Sequence, residues 1–187
     1  MGHESRFYLA GGTAVALHLG HRESADFDWF SKDLISDPER RIVEFENVVG
    51  AEFVRQHVAP GTILGFVKGV KVSVFHLPYA LLDAPTEWSG CALASLDDLV
   101  AMKLLAMAQR GTKRDFIDVH ALFEAYSLID MICLFQAKYP QGSVPHLMRS
   151  LVYFDDAERD PMPRMFRRVR WHAVKRDITR EVAHYDR

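Results

Sequence analysis

Cysteine is scarce: the 187-residue chain has two, Cys91 and Cys133, far apart and at no spacing used for zinc or a redox pair. Such a chain is not a disulfide-stapled secreted scaffold, and a reducing cytoplasm is its expected setting. No apolar run approaches the roughly 20 residues needed to cross a bilayer, so no membrane span is expected. The first residues lack a basic stretch followed by an apolar core, so no signal peptide is expected either. Internal repeats and low-complexity segments are absent. Charge of either sign is in little excess, Lys+Arg 23 against Asp+Glu 25. Attraction to nucleic acid therefore has to come from local clusters. What remains is a globular composition, 49% hydrophobic and 26% charged, enough to bury a core. The length fits one domain, or a compact domain with a helical extension.

Short β-type runs and two helices alternate in the first half. Phe7–Leu9 reads as a strand, Thr13–Leu19 as a helix and Ala25–Phe30 as a strand. A helix is predicted from Asp37 to Val49, with Pro38 at its favourable first position. Glu52–Val58, Ile63–Val67 and Val70–Phe75 follow as strands. Lys68-Gly69 between the last two predicts a hairpin. From Ser95 the pattern turns helical: Ser95–Arg110, Thr112–Tyr126 with a capping-box start, Leu128–Tyr139, Val144–Leu151 and Pro163–Tyr185. The fold class is α+β, with an α+β unit at 1–90 and a helical unit at 91–187 packed on it.

Two features carry chemistry. In "ADFDWF", Asp26 and Asp28 fall on one face of a strand, about 6.5 Å apart at their Cα atoms. That spacing suits one divalent ion or a bridged pair, and it also suits an ordinary strand with an acidic face. Gly11-Gly12-Thr13, between an apolar strand and a helix, either cradles an anion on backbone N–H groups or makes a tight turn. Downstream, Lys103 is the only charge in "LVAMKLLAMA". It must snorkel, pair with a carboxylate or meet a ligand's phosphates. Asp115 and Asp118 share a helix face, and Asp115 has a structural reading as the partner of Thr112 in the capping box.

The order of "AGGTAVALHLGHRESADFDWFS" resembles the signature of the DNA polymerase beta-type nucleotidyltransferase superfamily, in particular its AbiEii/AbiGii-type toxins. The similarity runs on through "GVKVSVFHLPYALL", "LASLDDLVAMKLLAMAQRGTKRDFIDVHALF" and "LVYFDDAERDPMP". It implies a nucleotidyltransferase core with a small mixed or antiparallel sheet, followed by a C-terminal helical bundle. By that resemblance Gly11, Gly12, Thr13 and Ser24 hold the triphosphate, and Asp26 and Asp28 hold Mg²⁺. Lys103 contacts the nucleotide, and Asp118 is the functional member of its pair and orients Lys103.

The implied activity is Mg²⁺-dependent transfer of an NMP from an NTP to an acceptor hydroxyl, that of RNA or tRNA, by the toxin of a toxin–antitoxin or phage-defence pair. An antitoxin is then the expected protein partner. One departure stands out: Ser73 occupies the place where many relatives carry a third carboxylate. A single Mg²⁺ is favoured on that account, and the alternative is an NTP-binding module that has lost turnover. Arg164, Arg167, Arg168, Arg170, Lys175, Arg176 and Arg180 read either as a solvated helix face or as a patch for RNA phosphates. His18, His21 and His57 have no metal-ligand spacing and read as ordinary.

Overall fold

The structure is a computed structural model that describes residues 7–185. The first strand, β1 (Tyr8–Ala10), runs without a break into helix α1 (Gly11–Leu19), because Gly11 takes φ +70 at the junction. A non-helical loop returns to β2 (Phe27–Ser31), which pairs antiparallel with β1 and sets Ala10 opposite Asp28. That register places Asp28 against the glycine turn.

Helix α2 (Pro38–Val49) starts as its composition directs: Asp37 caps the Arg40 N–H at 3.0 Å and Pro38 fills the first turn. Strands β3 (Phe53–Ala59), β4 (Thr62–Val67) and β5 (Val70–His76) form a meander. Lys68 and Gly69 both have positive φ, 50 and 81, as a two-residue hairpin turn requires. β5 then lies parallel to β2, with Ser73 in register with Asp28. Two further strands, β6 (Thr86–Trp88) and β7 (Cys91–Leu93), complete a mixed sheet ordered β3-β4-β5-β2-β1-β7-β6. The sequence does not announce these two, since each has three residues and no room for alternation.

The strand period sorts side chains onto two faces. Ile63 and Val72 are buried beneath Ile42 of α2. Asp28, Leu64, Ser73 and Phe75 face the other way, toward α3 (Leu96–Gln109). Helices α4 (Lys113–Leu122), α5 (Leu128–Lys138) and α6 (Val144–Leu151) follow, and then the single turn α7 (Asp155–Glu158) and α8 (Trp171–Tyr185). Leu104, Phe116, Met131, Leu147 and Ile178 meet with almost no exposed surface in the core of this half. Truncating one such leucine to alanine costs ~2–5 kcal/mol. Ser95, Thr112 and Ser127 cap their helices, the last two with full capping boxes.

A buried ion pair, Lys138 Nζ to Asp98 Oδ1 at 2.6 Å, holds down the loop before β6: Lys138 also donates to the Ala80 carbonyl, and Asp98 accepts the Leu82 N–H.

The last helix begins at Trp171, not at 163. Residues 159–170 form a strap hydrogen-bonded to the loop after α1: Glu23 N–H donates to the Arg164 carbonyl at 2.8 Å and Phe166 N–H to that of His21 at 3.0 Å. Backbone groups committed across the molecule cannot also close helical turns, and Pro161 and Pro163 lack the N–H altogether.

Candidate functional site

A cavity of about 400 Å³ lies between the inner face of the sheet and α3. Gly11, Gly12 and Thr13 enter it from one side, Ser24, Asp26 and Asp28 from the second, and Lys103 from α3. No side chain caps α1, so the first N–H groups of that helix keep their polarity for a ligand. The glycines are spatial requirements. A Cβ on Gly11 would lie 2.6 Å from Asp28 Oδ2, and one on Gly12 would lie 2.6 Å from an Arg22 guanidinium nitrogen.

The Asp28 carboxylate makes no hydrogen bond or ion pair with another described residue; that of Asp26 has only a long contact, 3.5 Å, from the exposed Arg114. The two hydroxyls are otherwise engaged. Thr13 Oγ1 donates to the Asp26 carbonyl and lies 2.9 Å from Ser24 Oγ, so together they pin the entry to β2 against α1. Thr13 is buried, and its visible work is positioning.

Lys103 neither snorkels nor stands alone. Its ammonium sits 2.7 Å from Asp118 Oδ2 and 2.9 Å from Asp115 Oδ1, and it still lines the cavity. Burial alone would discourage its charge, but the two carboxylates outweigh burial and hold its pKa above the ordinary lysine value. Asp118 has no exposed surface and lies beneath the cavity. It also accepts Nε and a terminal nitrogen of Arg22, at 2.7 and 2.8 Å, and Nε2 of His21 at 2.8 Å. Against the cost of burial, Lys103, His21 and Arg22 keep the Asp118 carboxyl well below the ordinary aspartate range. Asp115 lines the cavity, closes the capping box and receives Lys103. Burial opposes its charge too, but Lys103 and Thr112 outweigh that and lower its pKa.

Sequence reasoning missed Arg22, 2% exposed, and passed over His21 as ordinary. Their partner lies 96 and 97 residues away, and no local pattern announces such a pairing.

Ser73, buried beside Asp28, brings a hydroxyl and no negative charge to the position where the resemblance implies an acid. Among the described residues no group of three or more His, Cys, Asp or Glu is placed to hold a metal ion. No helix there is long and apolar enough to cross a membrane.

A glycine turn at a helix start, an acid pair on the adjacent strand and a mixed sheet backed by helices make up the core fold of the DNA polymerase beta-type nucleotidyltransferases. Comparison with known proteins narrows this. Residues 2–187 match the family described as "Nucleotidyl transferase AbiEii toxin, Type IV TA system", and the chain belongs to that family. It is 33% identical to the uncharacterized protein aq_aa25 of Aquifex aeolicus, over 96% of this chain and 87% of the relative. The fold is similar to MenT4, a nucleotidyltransferase toxin of Mycobacterium tuberculosis (TM-score 0.59, 17% identity, 95% of this chain and 75% of that one). It is also similar to JHP933 of Helicobacter pylori (TM-score 0.56, 15% identity, 97% and 84%).

Proposed function

We propose that the chain, a toxin nucleotidyltransferase acting in the cytoplasm alongside a cognate antitoxin, moves an NMP from an NTP onto a hydroxyl of RNA, tRNA included. The observation that carries this is the convergence of an uncapped helix start, two carboxylates without strong protein partners and a clamped lysine on one cavity. Asp26 and Asp28 would hold Mg²⁺. A hard cation that arrives with phosphate oxygens and water needs only one or two protein carboxylates, and the Asp28 oxygens are free for it. The cation would neutralise triphosphate charge.

The chain's own groups do the rest. Backbone N–H groups at Gly11–Thr13 receive the phosphates, and Ser24 and Thr13 hold the acid pair facing them. Lys103 keeps its charge and supplies a donor to the departing pyrophosphate. Leu64, Phe75 and Met102 offer an apolar wall for base or sugar. In the step itself the acceptor oxygen bonds to the α-phosphorus, the bond to the β-phosphate bridge breaks, and the hydroxyl proton leaves to water.

Incubation with each α-labelled NTP, Mg²⁺ and total RNA tests this reading: one or more NTPs should label RNA, and chelation should stop it. The register of Ser73 with Asp28 favours one other reading, a site that binds without turnover. Calorimetry showing NTP–Mg²⁺ binding, together with unlabelled RNA under every NTP, would replace transfer by binding alone.

A further inference from the structure

The cavity between the sheet and α3 changes character along its length. On its floor β2 contributes Asp26, Asp28 and Phe30, and β5 runs parallel beside it, with Ser73 against Asp28 and Phe75 against Phe30. At the Asp26 end the walls are polar. Arg114 reaches Asp26 at 3.5 Å, Thr112 and Asp115 stand at the start of α4, and Lys71 falls one register step before the Phe27–Val72 pair. At the Phe30 end they are apolar. Leu99 and Met102 of α3 pack there with Phe30, and the Phe30 and Phe75 rings lie 5.4 Å apart at their centroids. Two strand residues, about 6.6 Å, carry the chain from Asp28 to Phe30.

This gradient orients a nucleotide. The point where a Gly12 Cβ would stand is 3.7 Å from Lys103 Nζ and 3.7 Å from Ser24 Oγ, so donors converge at the start of α1 and a triphosphate belongs there. With the α-phosphate at Asp28, sugar and base extend over Phe30 and Phe75. What that end lacks decides what it can read. Among the described residues lining it, no side chain beyond Ser73, next to Asp28, offers a hydrogen-bond donor or acceptor. Thr62, across from Phe75 on β4, does not line the cavity. The backbone is engaged as well: β2 is bonded to β1 and β5, β5 to β2 and β4, and α3 to its own turns. A site that hydrogen-bonds its substrate rejects an analogue lacking the partner group by about 10⁴-fold, because its own polar groups are left unpaired; an apolar wall has none to leave. An aromatic ring stacks on every base, since every base has a π-face.

Resting on the transfer reading above, we infer that the site takes nucleoside triphosphates as a class, without choosing among the four bases, and that Phe75 is the residue on which the base stacks. The phosphate end sets a common affinity, and stacking adds a similar increment for each base.

Calorimetry of the full chain with Mg²⁺ and each of ATP, GTP, CTP and UTP tests this, with inorganic tripolyphosphate as a probe that has no base. The four NTPs should bind within about fivefold of one another, and each about tenfold more tightly than tripolyphosphate. Phe75→Leu keeps an apolar side chain in the wall and removes the ring. It should weaken all four NTPs by ~tenfold alike and leave tripolyphosphate binding as it was, which also reports an intact phosphate end. A preference for one NTP of more than about thirtyfold would overturn the inference, the mark of an edge read by hydrogen bonds. So would tripolyphosphate binding as tightly as the NTPs, or wild-type NTP affinity in Phe75→Leu. A chain that binds neither NTP nor tripolyphosphate would remove the inference together with the nucleotide site. Equal binding of the four NTPs with no label on RNA would leave the inference standing and sink the transfer reading instead.

Discussion

At the scale of single residues the two carboxylate environments separate a candidate ligand-binding acid from a structural one. The Asp28 side chain makes no hydrogen bond or ion pair with another described residue, so Asp28→Asn should change stability by less than ~0.5 kcal/mol. Asp118 takes Arg22, His21 and Lys103 in the dry interior. Asp118→Ala leaves three donors without their acceptor and should cost ~3–5 kcal/mol in a urea melt. Similar losses for the two variants would contradict this division. The glycine turn gives a sharper test. In Gly12→Ala the new methyl meets a guanidinium that cannot swing away, because Asp118 holds it at two points. NTP affinity is expected to fall at least tenfold by calorimetry, and unchanged affinity would remove Gly12 from the phosphate cradle.

The joint between α3 and α4 is where element-scale energetics concentrate. Lys103 spans it, gripped by Asp115 at the start of α4 and Asp118 one turn on. Both aspartates have folded-state pKa values below their ordinary 3.8, so their stabilisation is complete above that value and drains away as pH falls through the folded values. Lys103 shifts upward, so its share is complete below its ordinary 10.5 and is lost only at high pH. The stability gap between wild type and Lys103→Met should therefore be full at neutral pH and shrink below about pH 3.8. Unfolding curves at neutral pH and at acid pH measure it, and a gap that does not move contradicts the linkage. How much of these elements the sequence revealed follows the same logic of local against distant causes. Asp37-Pro38, Ser95 and Thr112 with Asp115 mark helix starts by contacts within four residues, and Lys68-Gly69 marks its hairpin the same way. Residues 163–170 of the strap read as helix in the sequence because their hydrogen bonds run to His21 and Glu23, more than 140 residues away. Of the site, the glycines and acid pair were legible because each lies in one short stretch. Arg22 was not, because its partner is brought to it only by the packing of α1 on α4.

For the molecule as a whole, the sheet supplies the acid pair and the helical half supplies Lys103, so the site exists only when the two are docked. The buried Asp98–Lys138 pair takes part in that docking, tying the loop before β6 to α3 and α5. Lys138→Met strands a buried carboxylate and should cost ~3–5 kcal/mol, with Asp98→Asn in the same chain recovering part of it. Strict additivity of the two losses would show that the pair is not coupled. In the proposed mechanism Asp26 and Asp28 are the catalytic carboxylates of a nucleotidyltransferase. Its most direct measurement is the rate of labelled NMP transfer to RNA by wild type, Asp26→Asn and Asp28→Asn, with folding checked by circular dichroism. The expected result is label transfer by wild type and a loss of at least ~10²-fold in each variant at unchanged fold, the scale of removing one electrostatic contact to a transition state. Transfer at wild-type rate by both variants would contradict it.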